Sequence, residues 1–186
     1  MLPIGDVIPS RTRPVLTVAL ALAELALIGP PLLRPWAVVW IASAVAIGIF
    51  GRTLEDRMGH GRFAALAALG VASAAIIAAL AAPVPTVLVC ASGLAAAIGG
   101  AYLARFPRSR VLAIIPVPFG LDLMEIPAWF IAAAWGVVHL ATALGALTHA
   151  GTIALLTAWI AAGAFGALAV WLLVRPERMA VSWWGD

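Results

Sequence analysis

Apolar residues in this chain come in long, nearly unbroken runs, not at the spacings that mark half-buried strands or amphipathic helices. A helix crossing the hydrocarbon of a bilayer needs roughly 20 mostly apolar residues, at about 1.5 Å each against a core of about 30 Å. Six segments meet or approach that length: residues 15–33, 36–50, 63–82, 86–103, 127–147 and 151–174. The second is short and closely follows the Pro30-Pro31 break. Residues 111–119 are also apolar, but their length and the prolines Pro116 and Pro118 suit an interfacial loop better than a crossing. The pattern therefore predicts an all-α, polytopic membrane protein. Its six-helix domain occupies 15–174, between an N-terminal segment at 1–14 and a short C-terminal tail at 175–186.

Arginine placement tests that count independently, because basic residues stay on the cytoplasmic side. Arg11 and Arg13 precede the first span. Arg52, Arg57 and Arg62 lie between the second and third, Arg105, Arg108 and Arg110 follow the fourth, and Arg175 and Arg178 follow the sixth. Only Arg34 falls on the other face. This alternation fits a multi-pass protein of the cytoplasmic (inner) membrane with both termini cytoplasmic. Arg11 and Arg13 ahead of an apolar run also resemble a signal peptide, but the run is long and reaches Pro30-Pro31 without a convincing cleavage site, so a retained first span is expected.

Composition excludes whole classes. The 186 residues are 65% hydrophobic and 10% charged with mean hydropathy +1.11, which leaves lipid as the burial partner that a soluble fold would lack. The pI near 10.4 does not point to nucleic acid, since no basic run alternates with aromatics. One cysteine, Cys90, excludes an internal disulfide. No cofactor or metal is expected. A transporter or channel is disfavoured, because only Glu24 and His139 are ionisable within the spans. Glu24, mid-span in the first helix, is either a neutral carboxyl bonded inside the bundle or a contact for a partner chain's cation or hydroxyl. Glu55 and Asp56, with Arg52, Arg57 and Arg62 nearby, read as a locally paired loop. Trp36, Trp129, Trp183 and Trp184 suit the interfacial belt, and the last two are candidate partner contacts. Trp135, Trp159 and Trp171 fall inside spans and suit packing or lipid contact.

Small residues crowd the fourth span (Gly93, Ala97, Gly99, Gly100) and the sixth (Gly163, Gly166, Ala167). Lipid gives helices no hydrophobic reason to associate, so close backbone approach must supply the packing, and the fourth span is expected at the centre. That span begins Cys90-Ala91-Ser92-Gly93 and ends Gly100-Ala101-Tyr102, with Phe106-Pro107 after it. Here the chain resembles the rhomboid intramembrane serine proteases, whose nucleophile lies in Gly-x-Ser-Gly followed by a small-residue helix ending Gly-Ala-Tyr. The likeness extends to Phe50-Gly51, Leu54-Glu55-Asp56, Met58-Gly59 and Arg62-Phe63, to Pro3-Ile4-Gly5-Asp6, Pro9, Pro14 and Thr17, and to Glu125-Ile126-Pro127-Ala128-Trp129. It implies a six-transmembrane-helix rhomboid-like bundle.

The resemblance also implies a Ser-His dyad with His and Asn as oxyanion donors, and here the chain departs from it. A serine hydroxyl is a poor nucleophile without a base within hydrogen-bond reach, and the oxyanion needs preplaced donors. Ser92 matches the nucleophile, although Cys90 replaces the motif's first glycine. Where the family reads Trp-Ala-His-x-Gly-Gly-Phe, this chain puts Ala161 at the histidine, or Trp159 if the register slides by two. Val39 and Ser43 stand at the oxyanion His and Asn, and the chain contains no Asn, Gln or Lys at all. Ser92 is therefore expected to be a relic nucleophile in a pseudoprotease. The expected function is binding or scaffolding of transmembrane helices of other proteins within lipid, as an accessory subunit of a hetero-oligomeric complex. The alternative is an active intramembrane serine protease using Ser92 with a non-standard base.

Overall fold

The computed structural model describes residues 2–6, 8, 12–29, 36–80, 86–117, 120–146 and 149–174. Helices carry most of the chain: α1 (Val15–Ala26), α2 (Ala37–Ala46), α3 (Arg52–Met58), α4 (His60–Leu80), α5 (Thr86–Arg105), α6 (Ala128–Ala146) and α7 (His149–Leu173). One wide turn of π-helix at Ile47–Gly51 joins α2 to α3, so Ala37–Met58 is continuous. Five helices are long and apolar enough to cross a membrane: Ala37–Met58, α4, α5, α6 and α7. The twelve residues of α1 reach only about 18 Å. The Pro30-Pro31 break and the tail with Trp183 and Trp184 lie outside the described residues.

Three expectations change. Segment 51–62 is no loop, because the helix runs on to Met58 and reverses at Gly59 alone. Gly59 has φ 78°, a left-handed conformation that a side chain would strain. Residues 111–117 do not cross as a helix, as expected, but they form a strand and not an irregular loop. Strands β1 (Leu2–Asp6), β2 (Arg110–Val117) and β3 (Gly120–Pro127) form an antiparallel sheet in the order β1-β2-β3. The bundle is thus not purely α-helical, and the N-terminal segment contributes a strand. Pro116 is tolerated in the middle strand because β1 pairs only with residues 111–114 and stops short of it.

The third change concerns the acidic pair. Glu55 is fully buried, and its carboxylate accepts hydrogen bonds from the backbone N–H of Leu16 (2.9 Å) and of Thr17 (2.8 Å) and from the Thr17 hydroxyl (2.7 Å). Asp56 accepts the Thr12 N–H and hydroxyl, both at 2.7 Å. The first turn of a helix leaves N–H groups unbonded and favours negative charge. Pro14, at the cap position of α1, supplies no side-chain bond, so α3 caps α1 from across the fold. Gly51 makes room for this: a Cβ there would lie 3.0 Å from the Thr17 Oγ1 and 3.2 Å from the Phe63 ring. The Phe-Gly…Glu-Asp…Gly…Phe stretch is an anchor for α1.

α5 is the central helix and packs most extensively on α7 and α4. A Cβ on Gly100 would collide with the backbone of Gly163, and one on Gly166 with the backbone of Ala97. The small-residue stripes therefore meet each other, which is the close approach that lipid-embedded helices require. One end of the bundle gathers the start of α1, the α3–α4 turn, the end of α5 and the sheet. The end of α7 joins them, since the Arg62 guanidinium donates to the carbonyls of Leu173 (3.2 Å) and Val174 (3.4 Å). A cation at a helix C-terminus is electrostatically favoured.

Candidate functional site

Ser92 lies in the second turn of α5, almost wholly buried. Its hydroxyl donates to the Leu88 carbonyl one turn back at 2.6 Å, with the Val89 carbonyl at 3.4 Å. Serine bonds back to its own helix in this way wherever no better acceptor is offered. Beside it, a Cβ on Gly93 would collide with Ala74 and lie 3.7 Å from Ala162, so α4 and α7 press directly on this part of α5. Ala161 is partly buried and carries no proton acceptor.

Val39 at the expected oxyanion position is core. It is 2% exposed and packs in one apolar cluster with Trp36, Trp40, Leu88, Val89 and Ala158. Val39 brings an apolar side chain, not a hydrogen-bond donor, to that position.

Ser43, the other expected oxyanion position, does have a partner, one that spacing along the chain did not reveal. Its Oγ lies 3.3 Å from Nε2 of His139 on α6, and both residues are buried. His139 Nδ1 is 3.1 Å from the Trp135 carbonyl. A carbonyl only accepts, so Nδ1 carries the proton, and in the neutral ring Nε2 accepts from the Ser43 hydroxyl. The imidazole stacks on Trp159 with centroids 5.4 Å apart and planes at 15°, and Trp135 packs against both rings. Trp159 thus serves as a packing surface for the histidine of another helix. Ser43 is fully buried and does not line the neighbouring cavity of about 160 Å³, which Phe50, Gly99, Gly100, Trp135, Trp159 and Gly163 bound. The Ser43–His139 pair therefore ties α2 to α6.

His60 bonds Glu55 through Nδ1 at 2.6 Å, and His149 is the first residue of α7. Among the described residues no group of three or more His, Cys, Asp or Glu could hold a metal ion. Trp129 and Trp171 are exposed on the helix surfaces, and the Arg105 guanidinium lies 5.0 Å over the Trp171 ring.

Glu24 is the other polar feature. It is 3% exposed, and its Oε2 has no hydrogen-bond partner among the described residues. It lines a cavity of about 350 Å³ between α1, α4 and α5.

Comparison with known proteins agrees with this architecture. No curated protein and no solved structure matches the chain. The Rhomboid domain family does match, over residues 40–176, which takes in the helix containing Ser43, the anchor motif, the serine helix and α7. An integral, multi-pass helical bundle with a serine on its central helix, matched over well over half its length, belongs to the rhomboid family.

Proposed function

We propose that this chain is a non-catalytic rhomboid-like protein that binds or scaffolds transmembrane helices, as an accessory subunit of a larger membrane complex. The observation that carries the reading is the commitment of the Ser92 hydroxyl to the Leu88 carbonyl, with Ala161 at the position of the base, Val39 at one oxyanion position and Ser43, at the other, engaged with His139. The scaffold is retained while the chemistry is not, and a bundle that admits helices without cutting them is a docking protein. The protein resides in the cytoplasmic membrane with both termini on the cytoplasmic side. Supporting this, the end of the bundle that joins the start of α1 to the end of α7 also carries Arg52, Arg57, Arg62, Arg105, Arg108 and Arg110.

A fluorophosphonate probe tests the catalytic half. No labelling of the purified protein is expected. Labelling that disappears in Ser92→Ala would establish an active serine and overturn the reading. Purification in mild detergent followed by mass spectrometry tests the other half, and a clean monomer with no stoichiometric companion chain counts against a subunit role.

A further inference from the structure

Glu24 lies in the last turn of α1, three residues before the helix gives way to the turn at Leu27–Gly29. That position is unfavourable twice over. A carboxyl group buried among apolar side chains with an unpaired oxygen is costly, more so at membrane depth. The C-terminal end of a helix also carries partial negative charge, which favours a cation there and opposes an anion. Both penalties would be relieved by one basic group brought to the Glu24 carboxylate from outside the chain.

The cavity beside Glu24 has the form such a visitor needs. On one side it is lined by Leu20 and Ala23 of α1, on the others by Val71 of α4 and by Cys90, Ala91 and Leu94 of α5. Ala23, Cys90 and Ala91 are small, so a helix backbone can come close to both walls, which is how helices associate inside lipid. A lipid chain would fill the groove but leave the carboxylate unpaired. At the mouth, Thr86 and Val87 are exposed.

We propose that the groove between α1, α4 and α5 seats a membrane-spanning helix of a partner protein that carries one arginine or lysine at the depth of Glu24. The basic side chain pairs with Glu24 while the partner's backbone packs on Ala23, Cys90 and Ala91. This deepens the docking function proposed above and rests on it.

The test uses the full chain reconstituted in phosphatidylcholine vesicles. The probe is a fluorescent synthetic helix of about 22 Leu and Ala residues with a single central Arg, compared with the same helix carrying Leu in that position. Energy transfer reads the binding. The Arg helix should bind wild-type protein about threefold to thirtyfold more tightly than the Leu helix. Glu24→Gln, which keeps the side chain's shape, should remove that preference. Ala23→Phe, at an exposed position that fills the groove while leaving Glu24 intact, should abolish binding of both helices.

Equal affinities for the two helices overturn the proposal, as does an Arg preference that survives Glu24→Gln. Phospholipid retained on the wild-type protein but lost from Glu24→Gln in native mass spectrometry, with flat peptide titrations, would assign the groove to lipid and also overturn it. The catalytic question stays separate. Ser92 labelling alongside an intact Arg preference would sink the absence of catalysis and leave the groove standing, whereas flat titrations without labelling sink the groove alone.

Discussion

Replacing Glu55 by alanine should release α1 from a bundle that otherwise stays folded. The carboxylate accepts three bonds from the first turn of α1, and His60 contributes a fourth contact from α4. A hydrogen bond to a charged group is worth about 1.5–3 kcal/mol, and a buried donor left without a partner costs about 1–3 kcal/mol. The N–H and hydroxyl of Thr17 are buried and lose their acceptor outright, whereas the half-buried Leu16 lies where water can replace part of its loss. Two buried donors at about 1–3 kcal/mol each give about 2–6 kcal/mol, which relief of the carboxylate's own desolvation cost trims to about 3 kcal/mol. For a chain of this size that corresponds to a fall of roughly 6–12 °C in melting temperature. Thr17→Val removes one bond and keeps the shape, so about 1 kcal/mol is expected. His60→Ala touches a side chain 55% exposed and should cost less than about 1 kcal/mol. Thermal unfolding in detergent gives the ranking, and hydrogen exchange gives the location: α1 amides lose protection in Glu55→Ala while α5 amides keep theirs. A Glu55→Ala protein that melts with the wild type, or a His60→Ala protein that falls as far, refutes the capping argument.

Other expectations follow from the same contacts. Ser92→Ala should keep stability within about 1 kcal/mol, because the lost bond runs back to the serine's own helix and leaves a carbonyl already bonded within it; a large loss in thermal melts would contradict that role. Gly166→Ala should force α5 and α7 apart at a cost of about 1–3 kcal/mol, whereas Gly48→Ala and Gly145→Ala, where nothing lies within 4 Å, should be neutral or slightly stabilising by the same melts. A double-mutant cycle of Ser43→Ala and His139→Phe should return a coupling of about 0.5–1.5 kcal/mol, and a coupling near zero would mean that the pair does not tie α2 to α6.

The apolar runs located the helices because the membrane imposes a minimum length, and the Gly and Ala stripes at 93–100 and 163–167 marked the helices that would meet. The absence of Asn, Gln and Lys was legible at once, since a missing residue type needs no coordinates. What the sequence hid was pairing across long separations. Glu55 caps the first turn of α1 by bonding Leu16, 39 residues earlier, and Ser43 meets His139 across a separation of 96. Local charge rules assigned the first to its neighbouring arginines, and nothing local marked the second. The hairpin at Arg110–Val117 and Gly120–Pro127 was hidden by its prolines, which argue against a strand until it is seen that β1 stops before Pro116.

The wide turn at Ile47–Gly51 sets the phase of everything after it. Such a turn holds one residue more than an α-helical turn, which swings the following side chains by about 100° around the axis. Ser43, before it, addresses α6; after it, Glu55 addresses the first turn of α1 and Asp56 addresses Thr12 just ahead of that helix. Deleting one residue within the turn would preserve the length and greasiness of the helix yet rotate both acids off their target, so a mutation invisible to any hydropathy plot should unlatch the N-terminal helix.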